Sequence, residues 1–154
     1  MIRKAALYWV LQFFSWTGYA LINIFIYALS DQQILAEDIT NISATSFFFL
    51  LSTHFFRLFA KSKRWSNLKV NELFPRVLLS SFLLSLINYF FQIIYSQLNN
   101  DFDPAIELNP SYLTTYLLSA FFLYFLWSVL YFVIHFVERY NNSLKYEAAY
   151  NEIE

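Results

Sequence analysis

The chain is 154 residues long, 58% hydrophobic and 23% aromatic, with 14% charged residues, one Gly, three Pro and no Cys. So much apolar surface with so little turn chemistry excludes a soluble domain wrapped in polar side chains. The missing thiols exclude disulfides, Cys-ligated zinc, iron–sulfur clusters and thiol catalysis, and a single Gly rules out a glycine-rich phosphate loop. The net charge of −1 carries information only through its distribution.

In chain order, Arg3 and Lys4 precede a charge-free run from Ala5 to Ser30. Ala28-Leu29-Ser30 loosely resembles a cleavage site, but the run is too long for a signal h-region and Gln12 and Asn23 interrupt it, so it reads as an uncleaved span over about 5–29. The next stretch holds Asp31, Glu37 and Asp38 and no cation, and the second run, Ile39 to Phe56, gives a span over about 42–60. A basic segment follows, with Arg57, Lys61, Lys63, Arg64, Lys69 and Arg76 around Trp65; Pro75 suits the first turn of a third helix. Attraction to anionic lipid explains this segment without a nucleic-acid partner.

The third run, Val77 to Asn100, gives a span over about 77–98. The segment from Asn99 to Pro110 is rich in Asn, Asp and Pro, which favours a turn. Its Asp101, Asp103 and Glu107 suggest a solvated acidic loop. A calcium loop is excluded because Pro104 stands where Gly is needed and Pro110 where the bidentate Glu is needed. The fourth run, Leu108 to Val137, gives a span over about 112–137, and 138–154 read as the start of a hydrophilic linker helix containing Arg139 and Lys145.

At about 1.5 Å per residue even the shortest run approaches the roughly 30 Å of a bilayer's hydrocarbon core. Basic and acidic connections alternate, and the positive-inside bias places both termini and the middle connection in the cytoplasm. The expected fold is an all-α integral membrane four-helix bundle, N-in and C-in, with a C-terminal cytoplasmic linker helix, multi-pass in the inner (plasma) membrane.

Polar residues within spans should face the bundle interior or a partner. Ser81, Ser85, Asn88 and Gln92 share one face of the third helix. Ser128, Tyr131, His135 and Glu138 share one face of the fourth, and Gln12, Tyr19 and Asn23 form a looser stripe on the first. These stripes are either ordinary interhelical hydrogen bonding or a network that binds a ligand or shifts between two packings. His54 and Arg57 lie one turn apart near the basic end of the second span, so Arg57 either pairs with Glu138 or reaches the headgroups. Two histidines with no further ligands do not form a metal or haem set, so no metal, cofactor or catalytic residue is expected in this chain.

Tyr8-Trp9-Val10-Leu11-Gln12, then Ser15-Trp16 and Tyr19, resembles the opening of the membrane region of LytS-type bacterial sensor histidine kinases. Thr53-His54-Phe55-Phe56-Arg57, Lys63-Arg64-Trp65 and Phe74-Pro75-Arg76 resemble its middle. The stretch from Leu126 to Phe136 is similar to its last helix, and Lys145 to Glu154 to the linker beyond. Ser15 departs from the usual Gly. The resemblance implies the non-catalytic sensor part of a two-component kinase that acts as a homodimer. ATP would belong to a kinase domain outside this chain, and phosphate would pass to a response regulator. Neither histidine matches the phosphoacceptor motif, which has a Pro-His-Phe core. A stand-alone membrane interaction or scaffold protein is the alternative. A small transporter subunit comes third, because no acidic residue lies deep in a span to couple ions.

The topology makes a direct prediction in this cysteine-free background. In intact cells an impermeant thiol reagent should label a cysteine placed at Gln33 and spare one placed at Asn67; the reverse pattern overturns the orientation.

Overall fold

The computed structural model describes residues 4–30 and 34–151. Arg3, Asp31, Gln33 and the linker positions 152–154 lie outside the described residues. The described residues form α1 (Lys4–Leu29), α2 (Ala36–Ser62), a 3-10 turn (Trp65–Asn67), α3 (Val70–Leu98), a single-turn α4 (Pro104–Glu107) and α5 (Pro110–Asn151), with no strand among them. α1, α2, α3 and α5 are each long and apolar enough to cross a membrane.

Polar residues set where α2 and α5 start, and α2 begins ahead of its apolar run. At α2, Asp38 Oδ2 accepts the Leu35 N–H at 2.9 Å, and Glu37 and Asp38 sit in the first turn, where unpaired N–H groups favour negative charge. At α5, Asn109 Oδ1 accepts the Ser111 N–H at 2.9 Å and Pro110 supplies a first residue that needs no donor. α3 begins at Val70, so Pro75 lies inside the helix rather than in its first turn. The missing N–H deprives only the Asn71 carbonyl, and Asn71 is solvent-exposed at the polar end.

With a single Gly in the chain, two helices are terminated by other residues in the left-handed region. Arg64 has φ 54 and Asn100 has φ 61. After α3 the Asn100 N–H reaches the Gln97 carbonyl (3.2 Å) and the Asp101 N–H the Ser96 carbonyl (3.0 Å), a Schellman cap. After α2 the Arg64 N–H bonds the Lys61 carbonyl at 3.1 Å. Trp65 then folds back edge-on against Phe59 (5.5 Å) and Phe56 (5.9 Å), the apolar contact that accompanies such caps. Trp65 is therefore buried, not presented among the surrounding cations.

The bundle encloses polar side chains within an aromatic core and turns apolar ones outward. Gln12, Thr53, Ser81, Ser85 and Asn88 are fully enclosed, whereas Phe14 is 77% exposed, Phe55 65% and Leu98 76%. Such a surface suits lipid as solvent. α1 packs chiefly on α2 and α3 chiefly on α5, with fewer contacts joining the two pairs. The joints between pairs include the stacked Phe48 and Phe91 rings at 4.0 Å and the Ser52–Tyr124 hydroxyl bond at 2.7 Å.

The acidic loop is more structured than its composition suggests. Asp103 caps α4 by accepting the Ala105 N–H (2.9 Å), and this turn carries Glu107 inward. Glu107 is buried, not solvated: Ser96 donates to its carboxylate and the Tyr89 hydroxyl donates to its backbone carbonyl at 2.8 Å.

Because a side chain with a Cβ is disfavoured at positive φ, Arg64→Gly should raise the stability of the chain in mixed micelles by about 1 kcal/mol. Reversible unfolding measures it; a loss of stability would show that contacts of the Arg64 side chain outweigh the backbone strain.

Candidate functional site

At the basic end of the bundle, Tyr8, Gln12 and Trp16 recur every fourth residue and share one face of α1. They meet Thr53, His54 and Arg57 of α2. The hub is Gln12. Its Oε1 accepts from the Trp16 indole N–H (2.8 Å) and lies 3.0 Å from the Thr53 hydroxyl, whose one proton is shared with the Phe49 carbonyl of its own helix (2.8 Å), while its Nε2 donates to the Tyr8 hydroxyl (2.5 Å). The Tyr8 hydroxyl lies 2.9 Å from His54 Nδ1.

Donor inventory fixes the direction of this chain. An indole N–H can only donate, so the Gln12 oxygen must face Trp16 and its nitrogen must face Tyr8. With its oxygen accepting from Gln12, Tyr8 has its one proton to offer His54, and a neutral His54 that accepts it at Nδ1 carries its own proton on Nε2. His135 has the opposite arrangement: its Nδ1 lies 2.8 Å from the Tyr131 carbonyl, which can only accept, so Nδ1 carries a proton. The two histidines are thus held in different tautomers by different helices.

Aromatic contacts connect this network to α5. The Tyr8 ring meets Tyr131 edge-on at 6.4 Å, Tyr131 stacks on Trp127 at 5.4 Å, and His135 lies 4.4 Å from Tyr131. The Arg57 guanidinium lies 3.8 Å from the centroid of the Tyr8 ring, a cation–π contact, so this side chain turns into the bundle. A cavity of about 300 Å³ opens here, lined by Tyr8, Arg57, Lys61, Tyr131, His135 and Glu138. Arg57 and Glu138 both line this cavity. Two cations, a carboxylate and a His Nε2 give the space both signs of charge, which suits a switchable contact between α2 and α5.

The remaining candidates lie apart from this cluster. Ser81, Ser85 and Asn88 are buried, and Gln92 is half-buried. On this stripe Ser85 donates to the Phe82 carbonyl of its own helix (2.7 Å), whereas Ser81 and Asn88 have no hydrogen-bond partner among the described residues; on the other stripes Ser128 likewise donates to the Tyr124 carbonyl (2.7 Å) and Asn23 to the Tyr19 carbonyl (2.8 Å). A serine satisfied by its own helix contributes small size, letting backbones approach, more than interhelical hydrogen bonding.

Sequence reasoning missed Trp16, Thr53 and Tyr124 as network members. The signal for the first was available in the spacing of Tyr8, Gln12 and Trp16, but nothing in the sequence paired Ser52 with Tyr124. Among the described residues no group of three or more His, Asp or Glu could hold a metal.

No family model, curated protein or solved structure matches this chain. The site therefore has to be read from its own chemistry.

The tautomer assignment is testable by nitrogen NMR of the labelled protein at a pH where the rings are neutral. His54 should show an unprotonated Nδ1 and His135 a protonated one. Tyr8→Phe should release His54 into a mixture of tautomers and leave His135 unchanged; a protonated Nδ1 on His54 in the unsubstituted protein refutes the network.

Proposed function

We propose that this chain is the sensor and signal-transmitting portion of a two-component sensor histidine kinase of the bacterial inner membrane. In this reading the basic end faces the cytoplasm, the protein works as a homodimer, and α5 drives a kinase domain that uses ATP and phosphorylates a response regulator. The observation that carries the reading is the continuity of α5. It runs 42 residues without a break from Pro110 at the acidic end to Asn151 beyond the basic end. At 1.5 Å per residue that is about 60 Å, twice the hydrocarbon core.

From Arg139 onward, through Tyr150, the residues of α5 are all exposed, as a stalk leaving a bundle would be. Its base is tied to the basic turn, where Arg139 donates to the Ser66 carbonyl at 3.0 Å. A shift of α1 and α2 against α3 and α5 would reach the stalk through two routes. One is the ring contacts of Tyr8 with Trp127 and Tyr131; the other is this turn. Rotation or translation of one rigid helix is a sufficient output for a helical linker.

The test is helical phase. Inserting one residue after Asn142 in the full-length gene product turns everything downstream by about 100°, and basal autophosphorylation in membranes should change several-fold. Inserting seven residues, close to two full turns, should restore it. Equal activity and equal stimulus response at all insertion lengths would remove helical transmission.

A further inference from the structure

We infer that the acidic half of the bundle contains a pocket for a small uncharged molecule whose planar head carries a hydrogen-bond donor beside an acceptor, a carboxamide or lactam. The cavity measures about 300 Å³ and lies between α1 and α5, with Asn88 of α3 in its wall. Asn88 is completely buried, yet neither its amide nitrogen nor its amide oxygen has a protein partner. The Tyr116 hydroxyl, in the wall contributed by α5, is likewise buried and unpartnered.

An amide enclosed in an apolar bundle without hydrogen bonds is expensive to keep. Packing does not require it here, since Ser81 and Ser85 fill the same face of α3 with smaller side chains, and a leucine would occupy the volume with no orphan atoms. Asn23 of α1, which also lines the cavity, has its amide nitrogen committed to the Tyr19 carbonyl at 2.8 Å. The Asn88 amide holds a donor and an acceptor in one plane but is fully enclosed, so a ligand's amide completes it with two parallel hydrogen bonds once the side chains over it give way. Tyr116 can supply a third.

The rest of the wall selects the body of the ligand. Tyr19 and Phe49 meet edge-on at 5.3 Å, and Tyr112 lies 6.1 Å from Tyr116, so flat apolar groups find aromatic surface. Among the described residues no Lys, Arg, Asp or Glu lines the cavity, which disfavours an ion that would lose its water without gaining a counter-charge. α1 and α5 share few direct contacts, which leaves a lateral route from the bilayer. The pocket stands on binding alone and does not rest on the kinase reading.

The test uses the full chain in nanodiscs, para-fluorobenzamide as probe, para-fluorotoluene as its amide-free counterpart, and fluorine NMR with empty nanodiscs as the partition reference. The benzamide should bind saturably and the toluene should only partition. Asn88→Leu should weaken the benzamide about tenfold, the equivalent of one net hydrogen bond, and Tyr116→Phe about threefold. Absence of saturable benzamide binding, equal saturable binding of both probes, or undiminished affinity in Asn88→Leu overturns the inference. Should Asn88→Leu fail to fold, undiminished affinity in Tyr116→Phe overturns it instead.

Discussion

In hydrocarbon a polar side chain has only other protein groups to bond with, and this constraint organises the bundle from the single residue upward. Gln12 shows it most directly. Its amide is completed by Trp16 on its own helix, by Thr53 on the next, and by Tyr8. Replacing any of these groups by water is not an option at that depth, so α1 must dock on α2 in one register to satisfy them. Where a serine can use its own carbonyl, as Ser85 and Ser128 do, the helix is freed from that obligation and packs by size alone. The result is a rigid polar joint between α1 and α2 beside a smoother contact between α3 and α5.

That difference gives the bundle a natural line of weakness. The two helix pairs touch each other through one stacked ring pair, several edge-on or tilted ring contacts, one hydroxyl pair and the basic turn. Ring contacts shift at lower cost than a network of directed bonds breaks. The cavity bordered by Arg57, Tyr131, His135 and Glu138 lies on this line, where α2 faces α5. Any relative motion of the pairs alters the distance between charges of opposite sign, and in the proposed function α5 carries the change out of the bundle.

Much of the architecture was legible in the sequence because charge in lipid is expensive: four charge-free runs could only be four long helices, and all four are present. Helix ends were less legible. Glu37 and Asp38 start α2 ahead of its apolar run, Asn109 caps α5 inside its own, and Arg64 stops α2 in a conformation that its side chain gives no reason to expect. The polar stripes identified faces but not partners, since period alone cannot distinguish a hydroxyl that bonds across helices from one that bonds backward. Glu107 misled for a related reason. A carboxylate in an Asn- and Pro-rich stretch reads as solvated until the turn of α4 brings it under Ser96 and Tyr89. The Gln12 hub was half visible, because the spacing of Tyr8, Gln12 and Trp16 marks one face, while Thr53 enters only once α2 is docked.

The pairing of α1 with α2 and of α3 with α5 also bears on how the chain is made. Each strong partnership joins helices close in sequence: α1 and α2 are consecutive, and only the single turn of α4 separates α3 from α5. Loop-closure cost is therefore small for both. The first hairpin can close its hydrogen-bond network around Gln12 while the ribosome is still producing α3. The second then has only its small-residue face to match, and it docks on a partner that is already complete. Two local steps followed by one long-range step are the order this contact pattern favours, and the long-range step makes the aromatic joints between the pairs.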